Sequence, residues 1–108
     1  DAQKADWASA ETAFKKAIEI KADDATAYVS LAAMYINTGR QSDARPLLEK
    51  AITLDANNAE SHYFYGMVLV ADPTGAAQAK AEFQKYLASS PTDAVKAATA
   101  KGIVDSLP

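Results

Sequence analysis

Displaced against itself by 34 residues, the chain lines up Ala10 with Ala44, Phe14 with Leu48, Lys16 with Lys50, Ala17 with Ala51 and Ile18 with Ile52. The same offset pairs Ala25 with Ala59, Tyr28 with His62, Leu31 with Tyr65, Ala32 with Gly66 and Tyr35 with Leu69. A period that long belongs to a repeated supersecondary unit. A third copy follows after one more residue, with Ala44 facing Ala79, Leu48 facing Phe83 and Asn58 facing Asp93. The extra residue therefore falls in the turn Asp72-Pro73-Thr74-Gly75.

Within a unit the apolar residues recur at helical spacing, as in Tyr28, Leu31, Ala32 and Tyr35, then Ala44, Leu47, Leu48, Ala51 and Ile52. Two short amphipathic helices per unit follow. Thr38-Gly39-Arg40 separates them in one copy and Asp72-Pro73-Thr74-Gly75 in the next, both rich in residues that end one helix and start another. Between units stand Ala22-Asp23-Asp24, Ala56-Asn57-Asn58 and Ser90-Pro91-Thr92-Asp93, which offer side-chain oxygens to cap the next helix. The pattern predicts helices near 6–21, 24–37, 42–54, 58–71, 76–89 and 93–106. Pro46 cannot donate to the carbonyl of Ser42, so the third helix is expected to start late or kink.

The repeats divide the chain into a partial unit over 1–24, a unit over 25–58, a unit with a one-residue insertion over 59–93 and a closing helix over 94–108. Trp7 to Ile20 reads as the second helix of a unit whose first helix survives only in Asp1 to Lys4, leaving an apolar face open. At the other end Ala97, Ala100, Ile103, Val104 and Leu107 form one stripe, and Lys96, Lys101 and Asp105 give the last helix a wet side, as a solvating cap needs. Small residues (Ala10, Ala17, Ala32, Ala44, Ala51, Gly66) alternate with large ones (Phe14, Tyr28, Tyr35, Leu48, Tyr65, Phe83), which lets helix axes approach closely and fixes how they stack. The expected architecture is all-α, a right-handed superhelical array of antiparallel helix pairs with a concave side.

Composition limits the function. Of 108 residues, 49% are apolar and 23% charged, enough for a core in one small domain. A formal charge of -3 and a pI near 5.0 give no clustered positive field for nucleic acid. The longest apolar stretch, Tyr63 to Ala71, is far below the roughly 20 residues that cross a bilayer, so membrane insertion is not expected. With no cysteine and one histidine, neither a metal site nor another cofactor is expected. His62 takes the place that Tyr28 fills one repeat earlier, which favours packing over catalysis, and Asp23, Asp24 and Asp72 read as helix caps. No activated nucleophile or phosphate loop is present, and the chain reads as no enzyme. Beginning at Asp1, it reads as a processed product or an excised fragment.

These residues resemble the tetratricopeptide repeat family. Its pattern of a large residue, Leu-Gly, Tyr, then Ala, Phe, Ala and Pro is met by Tyr28, Leu31, Ala32, Tyr35, Ala44, Leu48 and Ala51. The next copy meets it with His62, Gly66, Leu69, Ala79, Phe83 and Pro91. Ala22 and Ala56 replace the expected Pro, and Tyr86 a small residue. The Ala-rich framework and the segment Phe83-Gln84-Lys85-Tyr86-Leu87 resemble bacterial members.

The resemblance implies a module that holds a protein or peptide on the concave side of its first helices. Carried across, the groove comprises Thr26, Val29, Ala33, Ile36 and Asn37 from one unit and Glu60, Tyr63, Met67 and Val70 from the next. Tyr63, Met67, Val29 and Ile36 are the expected apolar anchors, with Asn37 and Glu60 orienting polar atoms. Helix 58–71 is apolar nearly all round and must be covered on more than one side. Some members clamp a peptide's terminal carboxylate with Lys, Arg and Asn. The matching stretch here offers Ser30, Ala33, Phe64 and Met67, so chaperone-tail binding is not expected. The alternative function is structural: a homo-oligomer that pairs the open front of one chain with the groove or cap of another.

Overall fold

The structure is a computed structural model that describes residues 2–107. Six helices follow one another: α1 (Ala2–Ile20), α2 (Ala25–Asn37), α3 (Gln41–Leu54), α4 (Ala59–Ala71), α5 (Ala76–Ala88) and α6 (Ala94–Ser106). No strand occurs among the described residues. The chain is an all-α solenoid of antiparallel pairs, with α2 packed most heavily on α3 and α4 on α5.

Helix starts are set by the capping oxygens in the sequence. The side chains of Asp24, Asn58 and Asp93 accept from the amides of Thr26, Ser61 and Lys96 at 3.0, 3.3 and 3.0 Å. Each satisfies one of the orphan donors in a first turn. At the end of α2, Gly39 adopts φ +80°, and the Arg40 amide returns to the Tyr35 carbonyl at 2.7 Å. That left-handed residue reverses the chain in three residues, 38–40, whereas the α4–α5 connection takes four, 72–75. The additional residue is held in place by Asp72, whose carboxylate accepts from the amide and hydroxyl of Thr74, both at 2.9 Å.

Two expectations are corrected. Residues Ala2 to Lys4 continue α1 rather than forming a remnant of a separate helix, and Asp1 lies outside the described residues. Nor does Pro46 delay α3, which begins at Gln41. Ser42 and Pro46 are both exposed. The carbonyl that loses its helical donor therefore sits on a wet face, where it is free to bond to solvent.

The core follows the small-against-large pattern. Ala32, Ala44, Ala51, Ala79 and Ala100 are fully buried, as are Leu48, Phe83 and Tyr86. The need for cover on α4 is met within the chain, since α2, α3 and α5 all pack on it. Seven of its residues are buried.

Candidate interaction groove

The helices α2 and α4 come into direct contact along their inner side and enclose a recess of about 250 Å³. Thr26, Val29, Ser30 and Ala33 supply the α2 wall, spaced by three and four residues so that they share one face. Asn58, Glu60 and Phe64 supply the other wall. Four residues expected from the sequence therefore line this recess, namely Thr26, Val29, Ala33 and Glu60. Val29, only 6% exposed, is its floor rather than a projecting anchor.

The remaining expected residues lie outside the recess. Tyr63 is corrected most clearly. It is buried, with its ring 5.8 Å from Phe83, 5.1 Å from Tyr86 and 5.3 Å from Phe64. Helical register turns it between α4 and α5, so it holds the hairpin together and presents no apolar anchor. Ile36 and Met67 are half-buried and pack on the same core. Asn37 and Val70 stand exposed at the last turns of α2 and α4.

Phe64, Ser30 and Asn58 also belong to the recess; from the sequence, Ser30 and Phe64 stand only as residues replacing the family's carboxylate clamp, not as groove contacts. Phe64 and Ser30 are each one residue beyond an expected position, Tyr63 and Val29, a displacement of 100° around a helix that a repeat register alone does not resolve. Asn58 was legible only as a cap, and it serves both purposes.

Charge at the rim is arranged by α6. The Lys96 ammonium lies 2.5 Å from Glu60 Oε2, 5.0 Å from the centroid of Phe64 and 5.7 Å from that of Tyr63. Lys96 was expected on the wet side of the last helix. Instead it bends inward, while Lys101 and Asp105 remain exposed. Glu60 and Asp93 favour its charged form and hold its pKa above the ordinary lysine value, against the burial that opposes them.

His62 makes a structural contact. Its Nε2 donates to the carbonyl of Ala56 at 2.8 Å. One repeat earlier the hydroxyl of Tyr28 donates to the carbonyl of Ala22 at 3.0 Å. The two side chains do the same work, tying the first helix of a unit to the loop before it. Among the described residues no group of three or more His, Cys, Asp or Glu side chains is placed to hold a metal ion, and no helix is long and apolar enough to cross a membrane.

Comparison with known proteins agrees with the all-α repeat fold. The sequence profile described as tetratricopeptide repeat matches residues 2–68. No curated protein matches the chain in sequence. Among solved structures, the P58(IPK) TPR domain is similar with a TM-score of 0.84 at 23% identity, over 96% of this chain and 28% of that one. The chain thus spans well under a third of that relative. The Arabidopsis OM64 TPR domain is similar with a TM-score of 0.79 at 20% identity, over 97% and 86% of the two chains. The first TPR of Spaghetti (RPAP3), bound to the HSP90 peptide SRMEEVD, gives 0.80 at 14% identity, over 95% and 81%.

Proposed function

The chain belongs to the tetratricopeptide repeat family, and from that premise we propose that it is a protein-interaction module whose α2–α4 recess receives an extended or helical segment of a partner. The observation that carries this reading is the recess itself. It has an apolar floor of Val29, Ala33 and Phe64, and a rim of hydroxyl, amide and carboxylate groups from Thr26, Ser30, Asn58 and Glu60. An apolar floor excludes water, and the few polar groups orient backbone atoms of the guest. The RPAP3 domain, similar in fold, carries a peptide. No side chain in the recess is an activated nucleophile, which suits binding rather than catalysis.

Ala33→Trp fills the recess from within and leaves the α2–α3 packing face untouched. Partner capture should fall at least tenfold while the helical circular dichroism signal is kept. Unaltered capture by this variant moves the site elsewhere. Tyr63→Ala is a poor control, because it removes a core ring.

A second reading, self-association, has one observation in its favour. Ala17 is exposed, although Ala51, its counterpart 34 residues on, is fully buried. That face of α1 has room for another helix. Pairing it with α6 of a second copy is disfavoured, since exposed Lys101 stands in the register of Ala32 and Gly66, where the second helix of a unit packs. Light scattering after size exclusion over a wide concentration range tests this reading. A mass that stays at one chain, 11.4 kDa, removes it.

A further inference from the structure

A second recess lies on the other side of the array. It is an open cleft of about 460 Å³ between α1 and α3, with α2 as its floor. Ile18, Leu31 and Leu47 line it apolarly, and Lys15, Arg40 and Asp43 stand at its edge. Its volume is in the range of small ligand sites.

The repeat reveals what such a cleft holds. Advancing one unit takes Leu31 to Tyr65, Lys15 to Glu49 and, past the inserted residue, Asp43 to Gln78. In that second copy the chain fills the corresponding space itself. The Tyr65 ring spans from α4 to both flanking helices, its hydroxyl donating to Glu49 on α3 at 3.0 Å and accepting from Gln78 on α5 at 3.4 Å. In the first copy Leu31 is too short to reach, and the space stays open. The polar edge remains, with its roles exchanged: Lys15 is a donor where Glu49 accepts, and Asp43 is an acceptor where Gln78 donates. A hydroxyl placed there accepts from Lys15 and donates to Asp43.

We infer that the α1–α3 cleft is a second binding site, which takes a tyrosine side chain of a partner protein. The ring rests on Ile18 and Leu47, above the nearly buried Leu31, and the phenol bridges Lys15 and Asp43. Those two side chains are 60% and 55% exposed, and each already has an ion partner, Glu11 and Arg40 respectively. They can turn toward a guest without leaving a buried charge unpaired. The site shares no residue with the α2–α4 recess, so it stands or falls separately from that proposal.

The test is a titration with N-acetyl-tyrosinamide, read from the backbone amide resonances of Lys15, Leu31 and Leu47. Saturable shifts at these amides are expected, with N-acetyl-phenylalaninamide roughly three- to tenfold weaker, the effect of one hydroxyl's hydrogen bonds. Leu31→Tyr should close the cleft from within, as Tyr65 does, and abolish the shifts. Should that variant not fold, the exposed pair Lys15→Ala and Asp43→Ala carries the test by making the two amides bind alike. Absence of saturable shifts in the natural sequence, or equal binding of both amides to it, overturns the inference.

Discussion

A β-carbon added to Gly66 would stand 2.8 Å from Cζ of Phe83, closer than real side chains approach. Phe83 is fully buried, so its ring can give way only by displacing its neighbours. One repeat earlier the same two positions carry Ala32 and Leu48, a larger residue on the first helix facing a smaller one on the second. Gly66→Ala gains up to about 1 kcal/mol in helix propensity but overpacks a filled site, at about 1–3 kcal/mol. Net destabilisation is expected, and the double variant Gly66→Ala with Phe83→Leu should recover a large part of it. Denaturant unfolding of the four members of this cycle measures the coupling. Additive effects would show that the two residues do not share one space.

Tyr86 departs from the family pattern by standing where Ala51 stands one repeat before. It is fully buried, and its hydroxyl meets no hydrogen-bonding partner among the described residues. Burial raises its pKa above the usual tyrosine value, which keeps the phenol neutral. Removing an unsatisfied buried hydroxyl relieves a desolvation penalty of about 1–3 kcal/mol. Tyr86→Phe should therefore be neutral to stabilising in thermal unfolding, while Tyr86→Ala empties the site and costs about 3–5 kcal/mol.

Acid should loosen the contact of α1 with α2 and that of α3 with the α4–α5 turn. The Tyr35 hydroxyl, 2.7 Å from Glu11, is the first cause of the lowered pKa of that carboxyl, aided by Lys15 and Arg40. Asp72 is lowered by the amide and hydroxyl of Thr74, then by Arg45. A carboxyl whose folded pKa lies below its unfolded one stabilises the fold above the unfolded value, about 4. That contribution fades as pH falls through the lower, folded pKa. The thermal midpoint should drop steeply below about pH 4, and Glu11→Gln should lower it at neutral pH while flattening the acid slope. An equal slope in both proteins would remove Glu11 from the account.

The HSP90 peptide SRMEEVD, carried by the RPAP3 domain, should not bind this chain at low micromolar concentration. The recess offers Ser30, Ala33 and Phe64 rather than cations. Lys96, at its rim, already belongs to Glu60. Isothermal calorimetry with SRMEEVD decides the matter, and a low-micromolar Kd would overturn the expectation.

Helix number, antiparallel pairing and the caps at Asp24, Asn58 and Asp93 were legible in the sequence, because each depends on local spacing and on one side chain meeting its own backbone. The tetratricopeptide register was equally plain, since burial of Ala44, Leu48 and Phe83 follows from a period that every unit repeats. Orientation about each helix axis was not. Tyr63 and Phe64 are adjacent in sequence and both aromatic, yet packing of α4 on α5 sends Tyr63 into the core and leaves Phe64 in the recess. Lys96 was indistinguishable from Lys101 as a surface cation until the approach of α6 to α4 brought Glu60 within reach. Likewise the open α1–α3 cleft depends on Leu31 being shorter than Tyr65, a difference that becomes a space only when two other helices stand on either side. Local rules determined which helices form. The distances between them, set by side chains far apart in the chain, determined which surfaces remained open.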